Sequence, residues 1–244
     1  MLKVWLAPLA EPADRDLAVL SRAERGRYAT ISHPLRARAY ATARLVLKQG
    51  LAGLTATDPA AWSFSPEGPP LVNGPLPGWR VGIAHSGGWV LCAARHGAAL
   101  GCDIEQRKPR RNLLALAGQY FSEEEQQALA AVQGEQQLDQ FYRMWTAKEA
   151  YLKARHAGIA GGLGRFRLLP AAGVARAVEE TGPWVLHSAR WQDCQLSLCL
   201  PGSADQPLVS QRVELVDSAM RPVPDRPLAW ETCAVTPGGA APAG

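Results

Sequence analysis

The sequence predicts a mixed α+β fold, on three observations. Helix-type stretches and β-type runs are interspersed along the chain in the order strand, helix, hairpin, helices, strands, which is neither an all-α nor an all-β pattern. The 244 residues suffice to bury a full core as one domain or as two small ones. Hydrophobic residues make up 47% and charged residues 20% of the chain, which excludes a wholly disordered or fibrous protein. No apolar run approaches the ~18 residues of a membrane helix. No basic leader accompanies the short apolar opening at residues 1–10, so no secretory signal is expected and the chain reads as cytoplasmic.

Residues 35–54 (LRARAYATARLVLKQGLAGL) predict a helix, because Ala, Leu and Arg dominate and Gly50 and Gly53 suit its C-terminal end. Residues 66–78 are a Pro- and Gly-rich loop. The runs 89–95 (WVLCAAR) and 99–105 (ALGCDIE), separated by His96, Gly97 and Ala98, predict a hairpin. The basic connector 106–111 (QRKPRR) marks a seam, and Ser122 with Glu125 has the spacing of a capping box that opens a helix. The strongest helix is 138–156 (LDQFYRMWTAKEAYLKARH), after which 165–169, 184–189, 194–200 and 209–215 read as strands. No short tandem repeat is present. Residues 220–244, rich in Pro, Gly and Ala, predict a partly disordered tail, since such a stretch buries too little apolar surface to offset its ordering entropy. The expected organisation is an N-terminal half at 1–105, a C-terminal half at 106–219 and this tail.

The five cysteines (Cys92, Cys102, Cys194, Cys199, Cys233) match no zinc spacing and form no C-x-x-C, so reduced, mostly buried thiols are expected. The five histidines are scattered and suggest no metal cluster. A net charge of +4 is a mild hint of an anionic partner.

Asp103 and Glu105 stand at i and i+2 on the strand GCDIE, so both carboxylates leave one face. Two oxygens so placed suit a hard cation such as Mg²⁺, which takes one or two carboxylates and completes its shell with water and phosphate; a solvated strand face has the same pattern. Apolar Leu100, Cys102 and Ile104 make the strand part of a core. Trp145, Glu149 and Lys153 recur every four residues on the strongest helix and form one stripe. That stripe is either a surface ion pair or the border of a buried site. His85, Ser86, Gly87 and Gly88 bring a histidine, a hydroxyl and glycine-exposed backbone N–H groups together, as a phosphate cradle requires.

Four segments in this order, RARAYATARLVLK, IAHSGGW, GCDIE and FYRMWTAKEAYLKA, resemble the Sfp-type 4′-phosphopantetheinyl transferases. The last two are similar to the family's G-x-D-x-E and W-[ST]-x-K-E-A-x-x-K signatures, and the likeness runs from residue 1 to about 215. It implies two similar α/β halves related by pseudo-twofold symmetry, with the active site at their seam. It also implies an enzyme, working as a monomer, that passes the phosphopantetheine arm of coenzyme A to a serine of an acyl or peptidyl carrier protein. Adenosine 3′,5′-bisphosphate would leave, and neither nucleic acid nor membrane would take part. Position by position, the resemblance makes Asp103, Glu105 and Glu149 the Mg²⁺ ligands. It makes Glu149 the base for the serine proton and sets Lys153 against the pyrophosphate. Arg44, with Arg38 as a second candidate, would hold the coenzyme, and His85 with Ser86 would meet its 3′-phosphate. Two departures fall on coenzyme contacts: Ala84 stands where the family often has Ser, and the G-K-P turn reads Gly68-Pro69-Pro70. A basic polyanion-binding module, built on Arg22, Arg25, Arg27, Arg107, Lys108, Arg110 and Arg111, is the competing reading.

Overall fold

The computed structural model describes residues 2–109, 112–156, 166–169, 174–177, 183–203, 207–216, 219–224 and 228–237. In chain order the elements are β1 (Leu2–Pro8), α1 (Asp14–Val19), α2 (Arg22–Thr30), α3 (Pro34–Thr55), β2 (Ser63–Phe64), β3 (Val72–Asn73), β4 (Trp79–Ser86), β5 (Trp89–His96), β6 (Gly101–Gln106), α4 (Leu113–Tyr120), α5 (Glu123–Ala130) and α6 (Gly134–Ala154). There follow β7 (Phe166–Leu169), β8 (Val174–Ala177), β9 (Trp184–Trp191), β10 (Cys194–Pro201), β11 (Leu208–Val216), β12 (Ala219–Pro222) and β13 (Trp230–Pro237). The fold is mixed α+β. Among the described residues no helix is long and apolar enough to cross a membrane. All five cysteines are free thiols, four of them buried.

Two compact units result: residues 1–100 with 207–228, and residues 101–206 with 229–244. The first has a sheet in the order β12-β11-β1-β5-β4. Pro34 opens α3, where a missing N–H costs nothing. The helix then buries an apolar face, Ala39, Ala43, Val46, Leu47 and Leu51, with Trp5, Trp62 and Cys92. Gly50 lies inside α3 rather than at its end, and it is glycine because a Cβ there would come within 2.6 Å of the Trp5 ring; the helix stops at Ala56 in the left-handed conformation. β4 and β5 form a hairpin through Gly87 and Gly88, at φ +58° and +84°, as a two-residue primed turn requires.

The second unit has a sheet in the order β6-β10-β9-β13-β8-β7, over which α6 buries Phe141, Tyr142, Met144, Ala147, Ala150 and Tyr151. Ser122 and Glu125 do form the capping box of α5.

Among the described residues, each unit contains a fully buried ion pair. In the first, Lys48 Nζ lies 3.0 Å from Glu24 and also donates to the Trp62 carbonyl, while Glu24 accepts from the N–H of Phe64 at 3.1 Å and of Ser21 at 2.7 Å. In the second, Lys148 Nζ lies 2.8 Å from Glu125 and donates to the Phe166 carbonyl, while Glu125 accepts from the N–H of Leu168 and of Ser122, both at 2.7 Å.

Three expectations are corrected. Residues 89–95 and 99–105 are not a hairpin: β1 and β4 occupy both edges of β5, so β6 pairs with β10 in the other sheet. Residues 207–219 do not stay with the C-terminal half, because β11 lies parallel to β1 and extends the first sheet. The segment 220–244 is not a tail throughout. β12 pairs with β11, and β13 fits between β9 and β8, since an eight-residue strand with Thr232, Val235 and Thr236 is diluted by its Pro- and Gly-rich surroundings. Residues 238–244 lie outside the described set.

Candidate active site

Gly101, Asp103 and Glu105 alternate along β6 and share its face toward α6. A Cβ at Gly101 would collide with the backbone of Ala150 and Ala154, so glycine lets the helix lie directly on the strand. Thr146 fastens it there, donating to the Tyr142 carbonyl at 2.9 Å and sharing a 2.8 Å hydrogen bond with Ser197 on β10. Glu149 and Lys153 are thereby carried to Asp103. The third member of the helical stripe, Trp145, instead stacks on Phe141 at a centroid distance of 5.8 Å and belongs to the core.

Asp103 is only 4% exposed, and its Oδ1 accepts from Lys153 Nζ at 2.5 Å. Its Oδ2, like Glu149 Oε1, is buried without a hydrogen-bond partner. Burial lifts the Asp103 carboxyl to about 7, against the pull of Lys153 and with help from Glu105 and Glu149. Glu149 is raised too, by burial and by Glu105, with Lys153 opposing. On Lys153, burial works against the charge, but the Asp103 carboxylate outweighs it and the pKa rises. Three carboxylates with one ammonium, two of their oxygens buried and unpartnered, make a set that a hard cation fits by charge and by donor type. Among the described residues, however, no three acidic, His or Cys side chains are already gathered as a ligand set; Asp103 is held by Lys153.

The first unit contains a basic cavity of about 520 Å³. On α3, Arg36, Tyr40 and Arg44 stand four residues apart and line it together with His33, Arg27 of α2 and His85 of β4. The Arg44 guanidinium lies 3.5 Å from the centre of the Tyr40 ring and donates through Nη2 to the Ser65 carbonyl at 3.2 Å; its Nε is buried with no partner. Arg27 lies 3.4 Å from Glu67 on the cavity's lip. Arg38 does not line the cavity: two residues from Arg36, it turns to the other side of the helix and pairs with Glu11. Ser86 follows His85 on the strand, faces the opposite side and is likewise outside the lining. Of the basic connector, Arg107 is buried and pairs with Glu135 and Asp139, while Arg110 and Arg111 lie outside the described residues.

A family model for the 4′-phosphopantetheinyl transferase superfamily matches residues 99–199. A putative 4′-phosphopantetheinyl transferase of Synechocystis is 32% identical over 76% of this chain and 78% of its own length. The chain belongs to the 4′-phosphopantetheinyl transferase superfamily. HetI, a 4′-phosphopantetheinyl transferase of Nostoc, is 33% identical over 64% of this chain and 69% of its own length. Sfp of Bacillus subtilis is 38% identical over 34% and 36%.

In this transferase, the stretch matched by the family model takes in β6 and α6, and therefore Asp103, Glu105, Glu149 and Lys153, but stops short of the basic cavity. Sequence reasoning missed the cavity's Arg36 and Tyr40, although their spacing with Arg44 was a readable signal. It also missed both buried Glu–Lys pairs, whose partners lie far apart in the chain.

Proposed function

We propose that the chain transfers the 4′-phosphopantetheine arm of coenzyme A to a serine hydroxyl of an apo acyl or peptidyl carrier protein in a Mg²⁺-dependent reaction, releasing adenosine 3′,5′-bisphosphate. The observation that carries this reading is the Asp103–Lys153 pair beside the two unpartnered carboxylate oxygens of Asp103 and Glu149. Asp103, Glu105 and Glu149 would hold Mg²⁺, whose charge offsets that of the pyrophosphate when bound. Glu149 takes the proton from the serine Oγ, because burial leaves it more basic than an ordinary carboxylate. The serine oxygen bonds to the phosphorus of the arm, and the bond from that phosphorus to the bridging oxygen breaks. Lys153 neutralises charge on the departing phosphate, a role that phosphoryl transfer needs more than covalent assistance.

The adenosine 3′-phosphate end belongs in the basic cavity, against Arg44 and His85, with Arg27 and Arg36 added and Arg38 and Ser86 set aside. The two units are read as similar halves related by a pseudo-twofold axis, a reading supported by the buried Glu–Lys pair in each. A monomer accords with a single chain that supplies both sets of side chains, and a cytoplasmic location belongs to the same reading. The test is incubation with coenzyme A, Mg²⁺ and a panel of apo-carrier proteins, read by mass. A gain of one phosphopantetheine arm that chelation abolishes is expected; no gain on any carrier contradicts the reading.

A further inference from the structure

We propose that the buried Glu24–Lys48 pair is a positioning device that sets affinity for coenzyme A without touching it. This rests on reading the basic cavity as the coenzyme's nucleotide site. The pair joins three elements at one point. Glu24 accepts from Ser21 at the start of α2, binds Lys48 of α3, and accepts from Phe64 of β2, while Lys48 donates to Trp62 beside it. Two of these elements, α2 and α3, supply cavity walls, and the third leads into one. Arg27 is one turn beyond Glu24 on α2, and Arg44 is one turn before Lys48 on α3. Ser65, next after Phe64, accepts the Arg44 hydrogen bond and leads into the lip at Pro66, Glu67 and Gly68. A shift of β2 against α3 would break the Ser65 contact and release Arg44.

The pair supplies positioning rather than plain stability. A fully buried ion pair is a poor stabiliser, because desolvating both charges consumes most of their attraction, and apolar residues of similar size hold a core as well. Its use lies in fixing one arrangement. Moreover, the same construction recurs in the second unit, where Lys148 directly precedes Glu149. In the first unit Lys48 precedes Gln49, so the pair is present without the neighbouring acid. What the two copies share is the fixing of a helix to a strand and to a capped helix start, beside a group of ligand-facing side chains.

The test uses the full chain and coenzyme A, with Arg44→Ala as the reference for the cavity. The double variant Glu24→Gln/Lys48→Met removes both charges and keeps an acceptor for the Phe64 N–H. With an unchanged folded fraction, its Kd and KM for coenzyme A should rise about tenfold (~1.4 kcal/mol). Its kcat at saturating coenzyme and its KM for the carrier protein should stay within about twofold. Glu24→Asp keeps the charge but shortens the reach, and should move the same constants in the same direction by less, which covers a double variant that does not fold. A folded variant with the wild-type Kd for coenzyme A overturns the proposal, as does a loss confined to kcat in proportion to the unfolded fraction. If wild type fails to prefer coenzyme A over its 3′-dephospho form and Arg44→Ala loses no affinity, the cavity reading itself has failed. If Arg44→Ala weakens binding and the Glu24 variants do not, only the positioning proposal has failed.

Discussion

At Asp103 the demands of the fold and of the site conflict. Burial lifts its carboxyl from the ordinary 3.8 to about 7, and the facing Lys153 only partly offsets this. Between those values the folded protein keeps a proton that the unfolded chain has released. The group's contribution to stability therefore falls as pH rises from about 4 to about 7, and stays low above that. Asp103→Asn is accordingly expected to flatten that pH dependence in the absence of divalent cation, and to lose transfer. Thermal melts across that range check it; a variant that keeps the wild-type slope contradicts it. Glu149→Gln keeps the side chain's size and one carbonyl oxygen but accepts no proton usefully near neutrality. Its loss should lie in kcat, by ~10²–10⁴-fold, as for removal of a general base. Steady-state kinetics with melts as a folding control measure this; a wild-type kcat would assign the proton to another group.

At the scale of elements, a glycine sets how closely α6 approaches β6. Gly101→Ala forces a methyl into the backbone of Ala150 and Ala154 and should cost on the order of 3 kcal/mol and the activity with it. Gly53 in α3 has open space at its Cβ position, so Gly53→Ala should stabilise by about 0.5–1 kcal/mol. Denaturant unfolding of the two variants tests the contrast. The same elements mark what was legible in the sequence. The helices α3 and α6 and the Ser122–Glu125 cap were readable, because composition, period and a three-residue spacing are local signals. Asp103 with Glu105, and Glu149 with Lys153, were readable as faces, since strand and helix periods fix them. The fuller role of Glu125 was not: its cap accounts for it locally, whereas Leu168, which it also holds, lies 43 residues away. The presumed hairpin at residues 89–105 failed for a related reason, since spacing cannot reveal that β1 and β4 already fill both edges of β5. Arg38 and Ser86 lie outside the lining of the basic cavity, because neighbouring positions on a helix or a strand turn to different sides, which a list of nearby residue types does not resolve.

On the scale of the whole molecule, the chain builds one unit from residues 1–100 and returns at 207–228 to complete its sheet. The two groups of candidate side chains are divided accordingly. Arg44 and His85 line the basic cavity of the first unit, and Asp103, Glu105, Glu149 and Lys153 belong to the second. In the proposed reaction coenzyme A meets both groups, its nucleotide at Arg44 and its pyrophosphate at Lys153. Steady-state transfer to an apo-carrier protein, read by mass with coenzyme A varied, tests this most directly in wild type, Arg44→Ala and Lys153→Ala. Both variants are expected to raise the KM for coenzyme A. Lys153→Ala should also lower kcat, because the phosphate it faces is charged in the complex and in the transition state alike. Wild-type constants in both folded variants would contradict a role for either group in coenzyme binding.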